Sequence, residues 1–184
     1  MKYYENVEAL LPDLGPMADC GRKVDMVVLH HTWSPDHAQW QGKTSAAGIL
    51  NYWLAQQKEK GWRQPLGGHF IVDPDGGIYL PFDDLTLPLN ANSNVHANHC
   101  GVAIETVGNF DAHHDALAGA QLHAVNGLLA GLCVAFGLSE QSVMFHRNYT
   151  NQKTCPGTSI DRDTVRAAVA NAIPWARPQM HPEP

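Results

Sequence analysis

Short apolar runs that end in chemically reactive residues constrain the fold of this chain more than any other feature of its sequence. Residues 24–30, V-D-M-V-V-L-H, predict a buried strand that ends at His30. Residues 101–107, G-V-A-I-E-T-V, predict a second strand that contains Glu105, and the run S-V-M-F leads into His146. Because the ends of neighbouring strands in an α/β sheet meet at one crevice, we expect these side chains to lie close together.

Helical patterns alternate with these strands. Residues 45–60 carry apolar residues at helical spacing and stop at Gly61, and residues 115–136 do so until Gly137. Between them, Asp-Gly-Gly predicts the turn of a β-hairpin over residues 68–82. The alternation predicts an α/β fold, a single domain with a central mixed β-sheet flanked by helices.

The 184 residues are enough for one domain with its own core. We expect residues 1–23 to form an N-terminal extension and residues 24–173 to form the domain. The last helix is predicted over residues 162–173 and is predicted to end at Pro174. Residues 174–184 are then expected to be a loose, Pro-rich tail.

Charge and hydropathy exclude two classes of partner. There are 12 basic and 18 acidic residues, a formal charge of -6, whereas nucleic-acid binding needs a basic face. The apolar runs are too short to cross a bilayer. The N-terminus lacks the pattern of a signal peptide, so we expect a protein made in the cytoplasm. We therefore expect a monomer with no nucleic-acid partner and no membrane partner.

Residues 145–157, F-H-R-N-Y-T-N-Q-K-T-C-P-G, bring His146, Lys153 and Cys155 close together in sequence. The four cysteines are widely spaced and form no C-x-x-C pair, so we interpret them as thiols. The histidine and the cysteine could be a thiol nucleophile with its base, two metal ligands, or residues without a chemical role. With His30 they form a ligand set that suits zinc.

Four ordered motifs resemble those of the type 2 N-acetylmuramoyl-L-alanine amidases. They are V-V-L-H-H-T, G-G-H-F-I-V-D-P-D-G, G-V-A-I-E-T-V-G-N-F and H-R-N-Y-T-N-Q-K-T-C-P-G, within residues 24–162. That zinc family is shared with the peptidoglycan recognition proteins, phage lysis amidases and anhydro-muramyl recycling amidases. The resemblance implies their fold and cleavage between N-acetylmuramic acid and L-alanine. It also implies peptidoglycan or a muropeptide as the substrate and partner.

The resemblance also implies the metal ligands. One zinc ion would be held by His30, His146 and Cys155. His31 occupies the variable position of the first motif, so His30 is preferred to His31.

The same resemblance implies two catalytic residues. Glu105 would act as general base and then general acid, and Lys153 would stabilise the oxyanion. Some family members instead place a tyrosine directly before the histidine of the second motif. Here Gly68 precedes His69, which favours the version that uses the glutamate.

Three further residues are candidates for contact with the substrate. His96 lies in an Asn-rich loop whose position resembles the loop that lines the family's cleft. His69 lies in the second motif, and Trp62 could stack on a sugar or form part of the groove wall.

Three alternatives stay open. A lytic amidase acting on polymeric wall, of endolysin or effector type, is favoured over a cytosolic recycling amidase because the last ligand is Cys155, where the recycling group has aspartate. A non-catalytic recognition module would bind muropeptide in the same groove, although such relatives typically lose this cysteine. A cysteine hydrolase would leave His30 and Glu105 unexplained.

Overall fold

A six-stranded mixed sheet organises the computed structural model, which describes residues 1–180. The strand order is β1-β4-β3-β5-β2-β6. The pairs β3–β5, β5–β2 and β2–β6 are parallel. The pairs β1–β4 and β4–β3 are antiparallel. The strands are β1 (Lys2–Tyr4), β2 (Met26–His31), β3 (Phe70–Val72), β4 (Ile78–Leu80), β5 (Gly101–Thr106) and β6 (Val143–Phe145).

Five α-helices connect and cover these strands. They are α1 (Val7–Ala18), α2 (Lys43–Lys60), α3 (Val95–Cys100), α4 (Gly119–Ala135) and α5 (Arg162–Met180), with short 3-10 turns at Glu140–Ser142 and His146–Asn148. The predicted α/β class with a single mixed-sheet domain is confirmed.

Alternation along β2 divides its side chains between two different environments. Val27 and Leu29 point into the main core, which α1, α4 and α5 cover. Val28 and His30 point to the opposite face. There a smaller cluster, built around Trp53 of α2, covers only part of the sheet. This second face therefore has room for a groove beside the strand ends.

The N-terminal residues belong to the same core. Strand β1 pairs with β4, and the apolar side of α1, including Leu10, Leu11 and Leu14, is fully buried. The approach of α1 to α4 is so close that a Cβ on Gly131 would lie 2.5 Å from Leu11. Residues 1–23, expected to be an extension, thus contribute a strand and a helix to the fold.

The prediction that the last helix ends at Pro174 was wrong. Helix α5 continues to Met180 with Pro174 inside it. Its buried residues continue beyond the proline, at Ala176 and Met180, and this burial offsets the missing backbone hydrogen bond. The predicted loose tail is therefore helical over residues 174–180, and residues 181–184 lie outside the described part of the chain.

None of the helices within residues 1–180 combines the length and the hydropathy needed to cross a bilayer.

Candidate metal centre and groove

Three side chains predicted as metal ligands come together at the carboxyl ends of β2 and β6. His30 is the penultimate residue of β2, and His146 follows β6 directly. Because Leu29 pairs with Phe145 in parallel register, the two histidines lie side by side, with ring centroids 4.8 Å apart. One ligand atom each from His30, His146 and Cys155 lies within 4.8 Å of the others.

The donor atoms of this cluster suit a metal ion. Among the described residues, the buried Nε2 atoms of His30 and His146 have no hydrogen-bond partner, which is costly unless another group occupies the space. Burial lowers the pKa of both histidines, so both are held in the neutral form that binds metals. Two imidazoles and one thiolate form a ligand set typical of zinc.

Cys155 contacts His30 of the cluster and the backbone of the neighbouring His31. Its Sγ lies 3.6 Å from Nδ1 of His30 and accepts a hydrogen bond from the backbone N–H of His31 at 3.4 Å. Burial raises the pKa of this thiol. A bound cation would compensate the buried thiolate, whereas an unassisted nucleophilic thiolate is unfavourable here.

Arg147 fixes the loop that carries Cys155. Its guanidinium donates to the carbonyl oxygens of Thr154 (3.2 Å), Gly157 (2.7 Å) and Ile160 (2.6 Å). Its backbone N–H donates to the carbonyl oxygen of Cys155 at 2.9 Å. Sequence reasoning missed this residue, although its position directly after a predicted ligand was a usable signal.

Glu105 lies next to the cluster. It pairs in register with His30 across β2 and β5, so both side chains point to the same face of the sheet. The carboxyl group faces the groove, and burial raises its pKa to about 8. Gly68 packs against it, and a Cβ at Gly68 would lie only 2.9 Å from Cγ of Glu105.

An open groove of about 790 Å³ runs along this edge of the sheet. His30, Glu105, His146, Lys153 and Cys155 all line it. Lys153 is exposed, and its positive charge adds to the effect of burial in lowering the pKa of His146.

Two exposed aromatic side chains line the same groove. They belong to Trp33 and Tyr52, which are 62% and 59% exposed. Trp33 has a φ of 57°, an uncommon conformation for a bulky residue. The backbone there is held by a hydrogen bond from the N–H of Trp33 to the carbonyl oxygen of Gly108.

His31 has a different environment from His30. Its Nδ1 accepts a hydrogen bond from the backbone N–H of Phe110 at 3.2 Å, and the two rings stack. Burial lowers the pKa of His31 to about 4. Of the two adjacent histidines, the structure brings His30 together with His146 and Cys155.

The structure does not place His69 at the groove, which corrects the expectation that it contacts substrate. The residue is 1% exposed. Nδ1 accepts from the N–H of Ala103 at 3.0 Å, and Nε2 donates to the carbonyl oxygen of Leu87 at 2.9 Å. His69 therefore links β5 to the loop after β4.

His96 and Trp62 are also absent from the residues described as lining the groove. His96 lies in α3, which precedes β5, so it is at the opposite edge of the sheet from Glu105. Trp62 follows the end of α2 and is 42% exposed there. The expectation for His96 failed because position along a loop does not fix which edge of a sheet a side chain reaches, whereas substrate contact by the exposed Trp62 stays a prediction.

Fold and site together define an α/β domain that collects metal-binding side chains and a carboxyl group at one edge of its sheet. The family model for N-acetylmuramoyl-L-alanine amidase matches residues 21–158, and the chain belongs to this family. The resemblance found in the sequence is thereby confirmed. Family membership supports amide hydrolysis in peptidoglycan.

Solved structures with 19–24% identity share the fold. N-acetylmuramoyl-L-alanine amidase LysC from Clostridium intestinale URNW superposes with a TM-score of 0.61 at 20% identity, covering 80% of this chain and 86% of that chain. For wild-type PGRP-LB from Drosophila the TM-score is 0.59 at 19% identity, with 81% of each chain covered. For Drosophila peptidoglycan recognition protein SA the TM-score is 0.59 at 24% identity, covering 77% of this chain and 78% of that chain. No curated protein matches the sequence.

Proposed function

We propose that this protein is a zinc-dependent N-acetylmuramoyl-L-alanine amidase, with one zinc ion held by His30, His146 and Cys155. The observation that carries the proposal is the convergence of these three donors beside Glu105 in an open groove. The bond cleaved would join the lactyl group of N-acetylmuramic acid to L-alanine. When bound, zinc supplies a Lewis acid and lowers the pKa of a coordinated water to about 7.

Glu105 would move the proton. Its carboxylate accepts a proton from the attacking water as oxygen bonds to the carbonyl carbon. It then gives that proton to the departing nitrogen as the C–N bond breaks. Burial raises the pKa of this carboxyl group to about 8, and a neighbouring zinc ion would lower it again, which would keep the carboxylate form available near neutral pH.

Lys153 would supply a positive charge at the groove. Attack on the amide places negative charge on the carbonyl oxygen, and a nearby cation stabilises it. The short tether to Cys155, two residues along the chain, keeps the ammonium group close to the proposed reaction centre.

Trp33 and Tyr52 would bind the non-reacting parts of the substrate. Exposed aromatic faces in a groove favour contact with the apolar faces of sugar rings and with peptide side chains. The groove is open, which suits a glycan strand or a long stem peptide as well as a small fragment.

The proposal is tested by measuring metal content and hydrolysis together. Cys155→Ala is expected to lose both zinc and turnover of a muramyl-L-alanyl substrate. Glu105→Gln should keep the zinc and lose about 100-fold to 10,000-fold in kcat. Unchanged zinc and unchanged hydrolysis in Cys155→Ala would refute the site assignment.

Measurements on the wild-type protein separate the rival functions. A recognition module would bind muropeptide without turnover in the wild type. A cysteine hydrolase would stay active after chelation and would be inactivated by thiol alkylation, which is the reverse of the result expected here.

Within the amidase class, we propose the lytic use on polymeric wall. The argument is Cys155 as the third ligand, where the recycling group has aspartate. Purified wall suspensions should lose turbidity when the protein is added. Turnover of soluble muropeptides without clearing would favour the recycling use.

A further inference from the structure

A second cluster of metal-binding side chains lies at the opposite end of β2 from the proposed zinc centre. It consists of Asp25, His96 and Cys100, with one ligand atom of each within 4.8 Å of the others. We propose that this cluster binds a second divalent ion of the borderline class that zinc represents, and that the ion joins α3 to the start of β2.

Helical spacing brings two of the ligands together. His96 and Cys100 are four residues apart in α3, so their side chains lie on the same side of the helix, one turn apart. An i, i+4 pair of this kind needs little rearrangement to bind one ion.

The backbone fixes the third ligand. Asp25 precedes β2, and its N–H donates to the carbonyl oxygen of Cys100 at 3.0 Å. The carboxylate is thereby held against the end of α3. One of its oxygens, Oδ2, already contacts Nε2 of His96 at 3.0 Å.

The state of the other carboxylate oxygen of Asp25 points to a bound ligand. Oδ1 of Asp25 is buried and has no hydrogen-bond partner within residues 1–180. A buried carboxylate oxygen without a partner is costly, and a cation bound by this carboxylate would reduce that cost.

The chemistry of the donors selects the ion. A thiolate and an imidazole favour zinc and similar ions over calcium and magnesium, which prefer oxygen ligands only. Three protein ligands leave a fourth position for water. Because the His96 side chain is 59% exposed, an ion can enter directly from solvent.

The two sites are separate. Asp25 and His30 are five residues apart on an extended strand, a distance of about 17 Å. No donor is shared between the two clusters. The proposed second site therefore does not depend on the amidase proposal, and each can fail without the other.

The test is zinc stoichiometry in the full chain, measured after equilibration with Zn²⁺ and removal of unbound metal. Wild type should retain two equivalents, and both His96→Ala and Cys100→Ala should retain one. Cys155→Ala should also retain one equivalent, and Cys155→Ala combined with His96→Ala should retain none.

His123→Ala is the matched control. His123 is also an exposed histidine paired with a carboxylate, Glu8, at 2.7 Å, but it belongs to no three-residue cluster of metal-binding side chains among the described residues. This variant should retain two equivalents. Circular dichroism and a urea midpoint for each variant separate loss of metal from loss of folding.

Two results would overturn the proposal. One is a His96→Ala or Cys100→Ala variant that retains as much zinc as wild type. The other is a Cys155→Ala variant whose remaining zinc is unaffected by His96→Ala. Cobalt gives a second readout, since a cobalt–thiolate absorption band should persist in Cys155→Ala and disappear when Cys100→Ala is added.

Discussion

At the scale of single residues, Gly68 decides where the Glu105 carboxyl group can lie. A Cβ at this position would lie 2.9 Å from Cγ of Glu105 and 3.1 Å from the carbonyl oxygen of Phe70. Cγ precedes the carboxyl group in the Glu105 side chain. Removing the steric clash with a Cβ at residue 68 therefore requires moving the whole carboxyl group. The observed position of the Glu105 side chain therefore depends on the absence of a side chain at residue 68.

Gly68→Ala is expected to reduce kcat by about 100-fold, because a displacement of about 1 Å at a catalytic group has that order of effect. Zinc content should be unchanged, since none of the three proposed ligands is touched. The measurement is steady-state hydrolysis with metal analysis on the same sample.

Gly48→Ala provides the control for this substitution. Gly48 lies in α2, and a Cβ there would meet nothing within 4 Å. Hydrolysis should be unaffected. If Gly68→Ala were as active as Gly48→Ala, the proposed dependence of Glu105 on Gly68 would be wrong.

At the scale of elements, Arg147 joins the turn after β6 to the loop that carries Cys155. Three carbonyl oxygens accept from this one guanidinium, and the ring of Phe145 lies 4.7 Å beneath it. A lysine carries one compact ammonium group and cannot form the same set of hydrogen bonds from a planar group.

Arg147→Lys should therefore weaken zinc retention by about 10-fold to 100-fold, the range found for residues that orient metal ligands. Competition with a chelator of known affinity measures the change. Arg166→Lys is the matched control, because Arg166 also binds carbonyl oxygens, those of Gln141 and Val143, but contacts no part of the Cys155 loop. Equal loss in both variants would contradict a specific role for Arg147.

His69 connects elements in a way that depends on pH. Burial lowers its pKa to about 3 from an ordinary 6.5, and its Nδ1 accepts a backbone hydrogen bond that protonation would remove. Because the unfolded chain binds the proton more readily, the contribution of this neutral histidine is complete above pH 6.5. It is lost as pH falls toward about 3.

Between pH 6.5 and about pH 5 the expected loss from His69 is about 2 kcal/mol in the free energy of unfolding. Urea unfolding of wild type and His69→Gln at these two pH values measures it. The glutamine keeps one acceptor and one donor but does not titrate. The difference between the proteins should shrink on acidification, and a constant difference would contradict the assignment.

The ends of strands were the most predictable elements. His30, Glu105 and His146 could be placed together because parallel strands deliver their carboxyl ends to one edge of a sheet. Helix ends marked by proline were less predictable. Pro174 lies inside α5 and Pro12 inside α1, because burial of each helix against α4 outweighs the local preference of proline.

The directions of loop side chains could not be predicted from the sequence, for a different reason. His96 and His69 are histidines near proposed site motifs, but their direction depends on contacts with Asp25 and with Leu87 that are 71 and 18 residues distant. Such long-range contacts leave no local pattern. The roles of Arg147 and Gly68 likewise depend on what packs against them.

At the scale of the whole molecule, α1 makes the N-terminal segment part of the domain. Leu11 is fully buried against Gly131 of α4. Leu11→Ala should lower the free energy of unfolding by about 2–5 kcal/mol, the range for deletion of a core leucine. Denaturant titration measures this value.

Leu54→Ala is the control for that experiment, since Leu54 lies on α2 and is 43% exposed. Its effect should be within about 0.5 kcal/mol. Comparable effects of the two substitutions would show that residues 1–23 behave as an independent extension.

The two environments along β2 have a consequence for how this protein would tolerate random substitution. Val27 and Leu29 face the thick, helix-covered core, whereas His30 faces the groove. In a library sorted first for abundance and then for hydrolysis, variants at Val27 and Leu29 should disappear at the first step. Variants at His30 should survive it and disappear at the second. Adjacent residues of one short strand would thus be selected for different properties, abundance at Leu29 and hydrolysis at His30.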